Sequence, residues 1–410
     1  MLRDTLHWMK GIFSNIVIST VVVALVIATL IAVGAAAAQT NVTGETGTST
    51  TSTGSKTDSS TAVATDPNIM GQNDPGCVEY AELVSAKDLP DGGKIYTYSL
   101  DGSLIPEPVP PPGWNPLTAS DDELKQYGPL FQRPSEPAKL QDWSAKMSRL
   151  SFTGKPSQMC KTNHRSGLTH IENYSFPWAG GMTVNGTTNW NTFYWATGKW
   201  YQTAFQQACI NYYPYDTYYT SYSTWAGLGG WNNNNGQQRL IQTGTDAAKD
   251  WFEGIYPWWE MLNSTHSNPE VAFSGNVINP GDDVQADVYY DTANNVIYMA
   301  VKDWTTGGWW GVGPISNYAN DSAYDYWDGS TADFVTENTY GGLAPGGWYE
   351  LRKPYLGNTY YYYATANGQP IANFWSWQLN EKNWPYTGDV MQTSTFDGIH
   401  AWYDNWVSCW

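Results

Sequence analysis

The stretch DVQADVYYDTANNVIYMAVKD, residues 283–303, indicates the fold most clearly. It contains two short apolar and aromatic runs joined by Asp291-Thr-Ala-Asn-Asn295, and Asp and Asn residues are typical of turns. Similar runs, such as FYWATGKWY, NTYYYYATA and SWQLN, recur after about Leu168 and are separated by Gly, Asn, Pro and Asp. Short strands at this spacing, with almost no helical periodicity, predict an all-β protein with a sandwich or barrel architecture.

The composition supports this fold class and limits the partners. Only 14% of the 410 residues are charged, whereas 15% are aromatic, and aromatic side chains pack well on pleated sheets. The net charge is −18, and residues 167–410 carry most of it, with 22 Asp and Glu against 7 Lys and Arg. Such a domain repels nucleic-acid phosphates, so we expect no nucleic-acid partner. Because few cations would repel one another once the carboxylates are protonated, the composition also favours an acidic working environment.

The N-terminus predicts export. Arg3 and Lys10 precede an almost uninterrupted apolar run from Ile16 to Ala38 that ends in small residues. The run is longer than a typical cleaved signal core and long enough to span a bilayer, so residues 1–38 are either a signal peptide or a retained membrane anchor. We therefore expect an extracellular protein, secreted or anchored to the cell surface. Candidate N-glycosylation sites that are compatible with this location are Asn41, Asn173, Asn185, Asn263 and Asn320.

Three further segments follow. Residues 39–66 form a Ser/Thr-rich linker with too few apolar side chains to offset the entropy of ordering. Residues 67–165 form an accessory region that holds 10 of the 20 Lys and Arg residues, a predicted hairpin around Asp101-Gly102 and a capping box, Ser120 and Glu123, that predicts a short helix. Residues 166–410 form the predicted sandwich domain.

Familiar catalytic and metal-binding motifs are absent from the sequence. There is no G-x-S-x-G elbow, no Asp-Thr-Gly or Asp-Ser-Gly loop and no phosphate-binding loop. The four cysteines and five histidines show no metal-ligand spacing, so we expect neither a metal nor a cofactor. In an exported chain the cysteines predict one or two disulfides, whose pairing the spacing leaves open. Any catalysis would come from carboxylates, amides and water.

Three motifs together resemble the glutamic peptidases, the eqolisin family. SYSTWAGLGGW spans Ser221–Trp231, LIQTG is followed 18 residues after its glutamine by WWE, and STADFVTEN spans Ser330–Asn338. Weaker matches occur in the family's order: WAGG at Trp178–Gly181, NPGDDVQADVYYD, and TSTFDGIHAWY near the C-terminus. The resemblance covers roughly residues 170–410, and the order and spacing of the motifs make the set more specific than any one of them.

The resemblance implies a two-sheet antiparallel, concanavalin-like β-sandwich with a cleft on one face. It also implies an acid endopeptidase, insensitive to pepstatin, that acts on polypeptides. By position the catalytic residues are Gln242 and Asp333, and Asp333 occupies the position of the family's glutamate. The carboxylate would activate a water molecule, and the glutamine amide would donate to the oxyanion without needing to ionise. Asp333 departs from the family by one methylene, which would withdraw the carboxylate by roughly 1 Å, a misplacement that can cost about 10²-fold in rate.

Other residues receive roles from the same resemblance. Trp225, Trp258, Trp259 and Glu260 are expected to bind substrate, and Glu260 is alternatively expected to orient Gln242. Glu337, four residues after Asp333 on the predicted strand, is expected to lie on the same face and to support it. The tryptophans could equally belong to the sandwich core, and Gln242 could simply face water.

Two alternatives remain open from the sequence. The accessory region is much richer in Lys and Arg than the sandwich domain, and it is either a propeptide, held over the cleft by attraction of its cations to the acidic domain and released in acid, or a spacer. The whole chain is either a peptidase or a catalytically silent, surface-displayed sandwich that binds carbohydrate or peptide. In both cases we expect a monomer.

Overall fold

The computed structural model describes residues 77–406 except for 101–102, 163, 166–169, 172–173, 176–177, 185–191, 205–219, 231–238, 250–253, 264–269, 275–277, 319–324, 339, 345–346, 351–357, 383–389 and 400. The predicted signal or anchor segment and the linker lie outside these residues. So do four of the five candidate glycosylation sites. The fifth, Asn263, is buried and does not offer an accessible acceptor.

The described chain consists mainly of β-strands. In chain order these are β1 (Cys77–Tyr80), β2 (Glu82–Asp88), β3 (Lys94–Leu100), β4 (Ser103–Val109), β5 (Gln158–Thr162), β6 (His164–Arg165), β7 (His170–Ile171), β8 (Tyr174–Ser175), β9 (Trp178–Val184), β10 (Trp195–Tyr201), β11 (Thr220–Gly229), β12 (Arg239–Lys249), β13 (Gly254–Asn263), β14 (Val271–Ser274), β15 (Asp283–Asp291), β16 (Val296–Asp303), β17 (Gly308–Ser316), β18 (Thr331–Asn338), β19 (Tyr340–Ala344), β20 (Gly347–Glu350), β21 (Asn358–Ala366), β22 (Gln369–Pro370), β23 (Trp375–Lys382), β24 (Val390–Phe396) and β25 (Trp402–Trp406). Two short α-helices are α1 (Asp121–Gln126) and α2 (Pro137–Met147). Single 3₁₀ turns occur at Pro129–Phe131 and Ile371–Asn373.

The hairpin predicted at residues 283–303 is confirmed. Strands β15 and β16 pair in antiparallel register from Val284 with Asp303 to Asp291 with Val296. The Asp291 carboxylate accepts hydrogen bonds from the backbone N–H of Ala293 and Asn294, which fixes the turn. Val284, Ala286 and Val288 alternate with polar neighbours and face the core, as expected for a strand with one buried face.

Two antiparallel sheets form the predicted β-sandwich. The first has the order β1–β5–β14–β13–β12–β11–β18–β9–β23. The second has the order β17–β16–β15–β10–β21–β25–β24, and β23 also pairs with β24. The main apolar core lies between the two sheets and includes side chains of both, such as Trp200, Ala226 and Phe334. Smaller sheets are β2–β3–β4 and β20–β19–β6.

The accessory region is built into the sandwich. Residues Asp66–Trp410 form one compact unit, so the boundary expected near residue 165 does not separate two units. Strands β1 and β5 belong to the first sheet, and β3 and β4 contribute core residues. The hairpin expected around Asp101-Gly102 is present as β3 and β4, and the capping box of Ser120 and Glu123 starts α1 as predicted.

The helical part of the accessory region lies on the second sheet. Phe131 stacks on Trp309 of β17 with ring centroids 4.0 Å apart, and Trp304 joins the small core of α1 and α2. Burial, followed by the nearby Lys146 of α2, lowers the pKa of Lys199 on β10 to about 7. The expectation that this region sits over a cleft containing Gln242 is therefore wrong for its helices. Gln242 belongs to the first sheet, whereas these helices pack on the outer face of the second.

No helix in the described part of the chain is long and apolar enough to cross a membrane. Cys160 is disulfide-bonded, and free cysteines do not occur among the described residues. The prediction of at least one disulfide is confirmed, and its pairing stays open.

One tyrosine joins the two sheets through hydrogen bonds. Tyr361 on β21 is fully buried in the core, and its hydroxyl accepts from the backbone N–H of Trp225 at 3.0 Å. It lies 2.6 Å from the Val335 carbonyl oxygen, to which it donates. The second sheet thereby satisfies backbone groups of β11 and β18 in the first.

We predict that Tyr361→Phe destabilises the protein by about 2 kcal/mol, because it leaves a buried N–H and a buried carbonyl without their partner. Denaturant unfolding measures the change. Tyr201→Phe is the matched control, since the Tyr201 ring is half exposed and its loss of a hydroxyl should change stability by a few tenths of a kcal/mol at most. Equal stability of the Tyr361→Phe variant and the wild type would contradict the bridging role.

Candidate functional site

The register of three strands brings the two predicted catalytic residues together. Strand β11 lies between β12 and β18, and its Gly227 is directly opposite Gln242 on one side and Asp333 on the other. Directly opposed residues of antiparallel strands project to the same face. Gln242 and Asp333 therefore share one face of the first sheet and flank a residue that has no side chain.

This face is the outer one, turned away from the second sheet. Its neighbours Ala226 and Phe334 belong to the core between the sheets, whereas Trp225 and Val335 belong to a separate apolar cluster. With adjacent strands about 4.8 Å apart, the Cα atoms of Gln242 and Asp333 are roughly 10 Å apart. We refer to this surface as the site face.

Gly227 has little room for a side chain. A Cβ at this position would lie 2.8 Å from the Trp225 ring and 3.2 Å from the Ile241 carbonyl oxygen. The glycine of the LIQTG motif, Gly244, is also tightly packed, because a Cβ there would lie 2.1 Å from the Thr224 carbonyl oxygen. Both glycines let the Trp225 side chain lie close to the sheet beside Gln242 and Asp333.

Gln242 is held by a carboxylate. Its Nε2 donates to Oε2 of Glu260 at 2.7 Å, and the two residues are directly opposed on β12 and β13. Oε1 of Gln242 has no hydrogen-bond partner among the described residues. Gln242 is 0% exposed, so the interpretation of this residue as solvent-facing is wrong. The arrangement agrees with the expectation that Glu260 orients the glutamine.

Asp333 is a buried carboxyl with a single close partner in the described structure. It is 0% exposed, its Oδ2 lies 3.1 Å from the Thr331 hydroxyl, and its Oδ1 has no hydrogen-bond partner in that part of the chain. Burial raises the pKa of Asp333 well above its usual range, and the charge of Asp328 raises it further, while the Thr331 hydroxyl opposes the shift. Asp333 is therefore protonated at pH values where an exposed aspartate is charged.

Glu337 has a different task from the one expected. It lies on the site face, as predicted, because it is opposite Ser223 in the same alternation that includes Asp333. Its Oε2 accepts from Nε1 of Trp225 at 2.7 Å. Glu337 thus positions the tryptophan beside Gly227, and its support of Asp333 is indirect.

The three tryptophans divide between the two faces. Trp225 and Trp258 are fully buried in the apolar cluster of the site face. Trp259 packs in the core between the sheets. The expectation that Trp259 lines a substrate cleft is therefore wrong, because successive residues of a strand point to opposite faces.

Several residues of the site face were missed by sequence reasoning. Met182 on β9 is directly opposite Asp333, and Trp377 on β23 is opposite Met182, so both extend the row that contains Gln242 and Gly227. Thr331 could have been found, because it precedes Asp333 by two residues on a strand and so shares its face. Met182 and Trp377 could not, since their positions depend on pairing between distant segments.

The described residues contain no group of three or more His, Cys, Asp or Glu side chains that could hold a metal ion. The site face combines the amide of Gln242 with the carboxyl groups of Asp333, Glu260 and Glu337, beside an apolar cluster.

The buried carboxyls predict that acid stabilises the fold. Burial raises the pKa of Glu107 to about 7 and that of Asp328 to about 6, and it raises that of Asp333 as well. The unfolded chain has carboxyl pKa values of about 4. Protonation of these groups therefore stabilises the folded state, fully below about pH 4, and this contribution is lost as the pH rises through the folded pKa values.

We predict that the free energy of unfolding increases between pH 8 and pH 5, and that Asp333→Asn has a smaller increase and is more stable than the wild type at pH 8. Asparagine avoids the cost of ionising a buried carboxyl. Urea unfolding at both pH values tests this, with the exposed Glu79→Gln as the control that keeps the wild-type dependence. An Asp333→Asn variant with an unchanged pH dependence would mean that Asp333 carries the same charge in the folded and unfolded chain.

Comparison with known protein families and with curated proteins identified no relative of this chain. No protein-family model matches the chain, and no curated protein matches it. The likeness to glutamic peptidases therefore rests on the three motifs and on the positions that their residues occupy.

Proposed function

We propose that this chain is a peptidase in which Gln242 and Asp333 act on the same peptide bond. The observation that carries the proposal is their placement on either side of Gly227, on one face of one sheet. Gln242 and Asp333 come from two motifs that are distant in the sequence and were each identified by the family resemblance, and both residues are opposite Gly227. A polypeptide is the substrate class that this pair of groups fits.

Each group supports one half of the reaction. The Asp333 carboxylate would take a proton from water while the water oxygen bonds to the carbonyl carbon, and the carbonyl oxygen would become an oxyanion. Gln242 Nε2 has two hydrogens, and one is committed to Glu260. The other would donate to the oxyanion. The C–N bond then breaks, and the proton held by Asp333 passes to the departing amine.

The raised pKa of Asp333 modifies the expected pH range. Asp333 must be ionised to act as a base, and burial keeps it protonated above the usual range of an aspartate. Activity should therefore rise with pH through the pKa of Asp333, and its acid limb should lie higher than that of an exposed aspartate. We propose a weakly acidic optimum instead of a strongly acidic one.

The closed site face favours a second candidate. Gln242, Asp333, Trp225 and Glu260 are all 0% exposed, so a substrate could reach them only after the covering chain moves. A catalytically silent sandwich that binds carbohydrate or peptide elsewhere on its surface would also have a closed face. Export of the protein, which both candidates share, is proposed from the N-terminal segment alone.

We predict that the full chain hydrolyses a denatured protein, in the presence of pepstatin, and that Gln242→Ala lowers kcat by about 10²–10³-fold through loss of the oxyanion donor. Asp333→Asn should abolish the reaction. Asp333→Glu should retain or increase it, by up to about 10²-fold, because the longer side chain restores the reach of the family residue. Release of new N-termini between pH 2 and pH 8 measures all three.

The matched control is Gln392→Ala. Gln392 is a fully buried glutamine on β24, outside the site face. Its replacement by alanine should leave kcat unchanged. Hydrolysis that persists in Asp333→Asn would show that another group is the base. Absence of hydrolysis in the wild type and in Asp333→Glu, together with peptide or glycan binding that none of these substitutions alters, would favour the silent sandwich.

A further inference from the structure

A second buried carboxyl, Asp328, precedes Asp333 by five residues. Asp328, in the turn before β18, is 3% exposed, and its Oδ1 accepts from the backbone N–H of Ser330 at 2.8 Å. Its Oδ2 has no hydrogen-bond partner in the described chain. The resemblance to glutamic peptidases gave this residue no role.

Thr331 connects Asp333 to the adjacent strand. Its hydroxyl oxygen is 2.5 Å from the carbonyl oxygen of Gly229 on β11 and 3.1 Å from Oδ2 of Asp333. The hydroxyl proton is shared between these two acceptors, so the Thr331 hydroxyl donates to Oδ2 and favours the carboxylate form of Asp333.

Asp328 lies against the same glycine. A Cβ built on Gly229 would be 3.2 Å from Oδ1 of Asp328, so Asp328, Gly229, Thr331 and Asp333 form a contiguous set. The set occupies the end of the site face where β11 and β18 meet.

The other charged groups around this set have partners of their own. Arg239 on β12 forms an ion pair with Asp325 at 2.8 Å. Glu260 on β13 accepts from Gln242, and Glu337 on β18 accepts from Trp225. Strand β9 presents Met182, which does not titrate. Arg239 also favours the charged form of Asp328, and Asp328 is the carboxyl whose charge acts on Asp333.

The charge of Asp328 acts on Asp333 in one direction. Burial raises the pKa of Asp333 well above its usual range, and the negative charge of Asp328 raises it further. Ionised Asp328 therefore opposes the ionisation of Asp333.

We propose that Asp328 and Thr331 are positioning residues that together set the proton occupancy of Asp333. Asp328 favours the protonated form of Asp333 by like-charge repulsion, whereas the Thr331 hydroxyl favours the carboxylate by donating to its Oδ2. The effect on catalysis rests on the proposed function, whereas the effect on proton occupancy does not. In the reaction, this device would keep a proton available for the departing amine.

The test is a pH titration of the Asp333 carboxyl. The titration is monitored by infrared difference spectra between each protein and the same protein with Asp333→Asn. Asp328→Asn should lower the midpoint by about one pH unit, because a like charge is removed. Thr331→Val should shift the midpoint in the opposite direction, because the hydroxyl that favours the charged form is lost. Thr331→Ser retains the hydroxyl and should restore the wild-type midpoint.

A merely structural role would not give shifts of opposite sign. If Asp333 titrates in the wild type and its midpoint is the same in Asp328→Asn and Thr331→Val, the proposal is overturned. If the midpoints shift as expected and neither the wild type nor any variant hydrolyses protein, the control of Asp333 protonation by Asp328 and Thr331 is supported and the proposed function fails. If hydrolysis occurs, the acid limb of kcat against pH should shift with the midpoint in each variant.

Discussion

The register between β11 and its two neighbours is the constraint on which the candidate site depends. Gly227 is opposite both Gln242 and Asp333 only in this register. A slip by one residue on either side would move one of the two side chains into the core between the sheets. The glycines at 227 and 244 protect the register, because a side chain at either position would collide with the Trp225 ring or with backbone. The absence of a side chain at these two glycines is therefore as necessary to the site face as the side chains of Gln242 and Asp333.

The two sheets cooperate to hold the site. Trp225 lies beside Gly227, its indole N–H is fixed by Glu337 and its backbone N–H by Tyr361 from the second sheet. Gln242 is fixed by Glu260 on the neighbouring strand. The amide and the indole are thus each oriented by a buried carboxylate, which restricts their rotation before any ligand arrives. Asp333 differs, since its only close partner in the described structure is a threonine that also contacts Gly229.

Much of the fold and part of the site could be predicted from the sequence. The hairpin at 283–303 and the capping box at Ser120 are local patterns, and both formed as expected. The placement of Gln242 beside Asp333 needed the family resemblance, because 91 positions separate them and no local rule sets their register. The side of the sheet occupied by Trp259 follows from local alternation, because it is adjacent to Glu260 on β13. The packing of the accessory helices on the second sheet depends on long-range contacts that composition and charge do not encode.

The participation of β5 in the first sheet has a consequence for processing. This strand pairs with β14 on one side and with β1 on the other, and it carries the disulfide-bonded Cys160. A cut in the chain near residue 165 would leave the N-terminal fragment hydrogen-bonded within the larger one. The nicked molecule would migrate as an intact particle under native conditions, and its two pieces would separate only after denaturation and reduction of the disulfide.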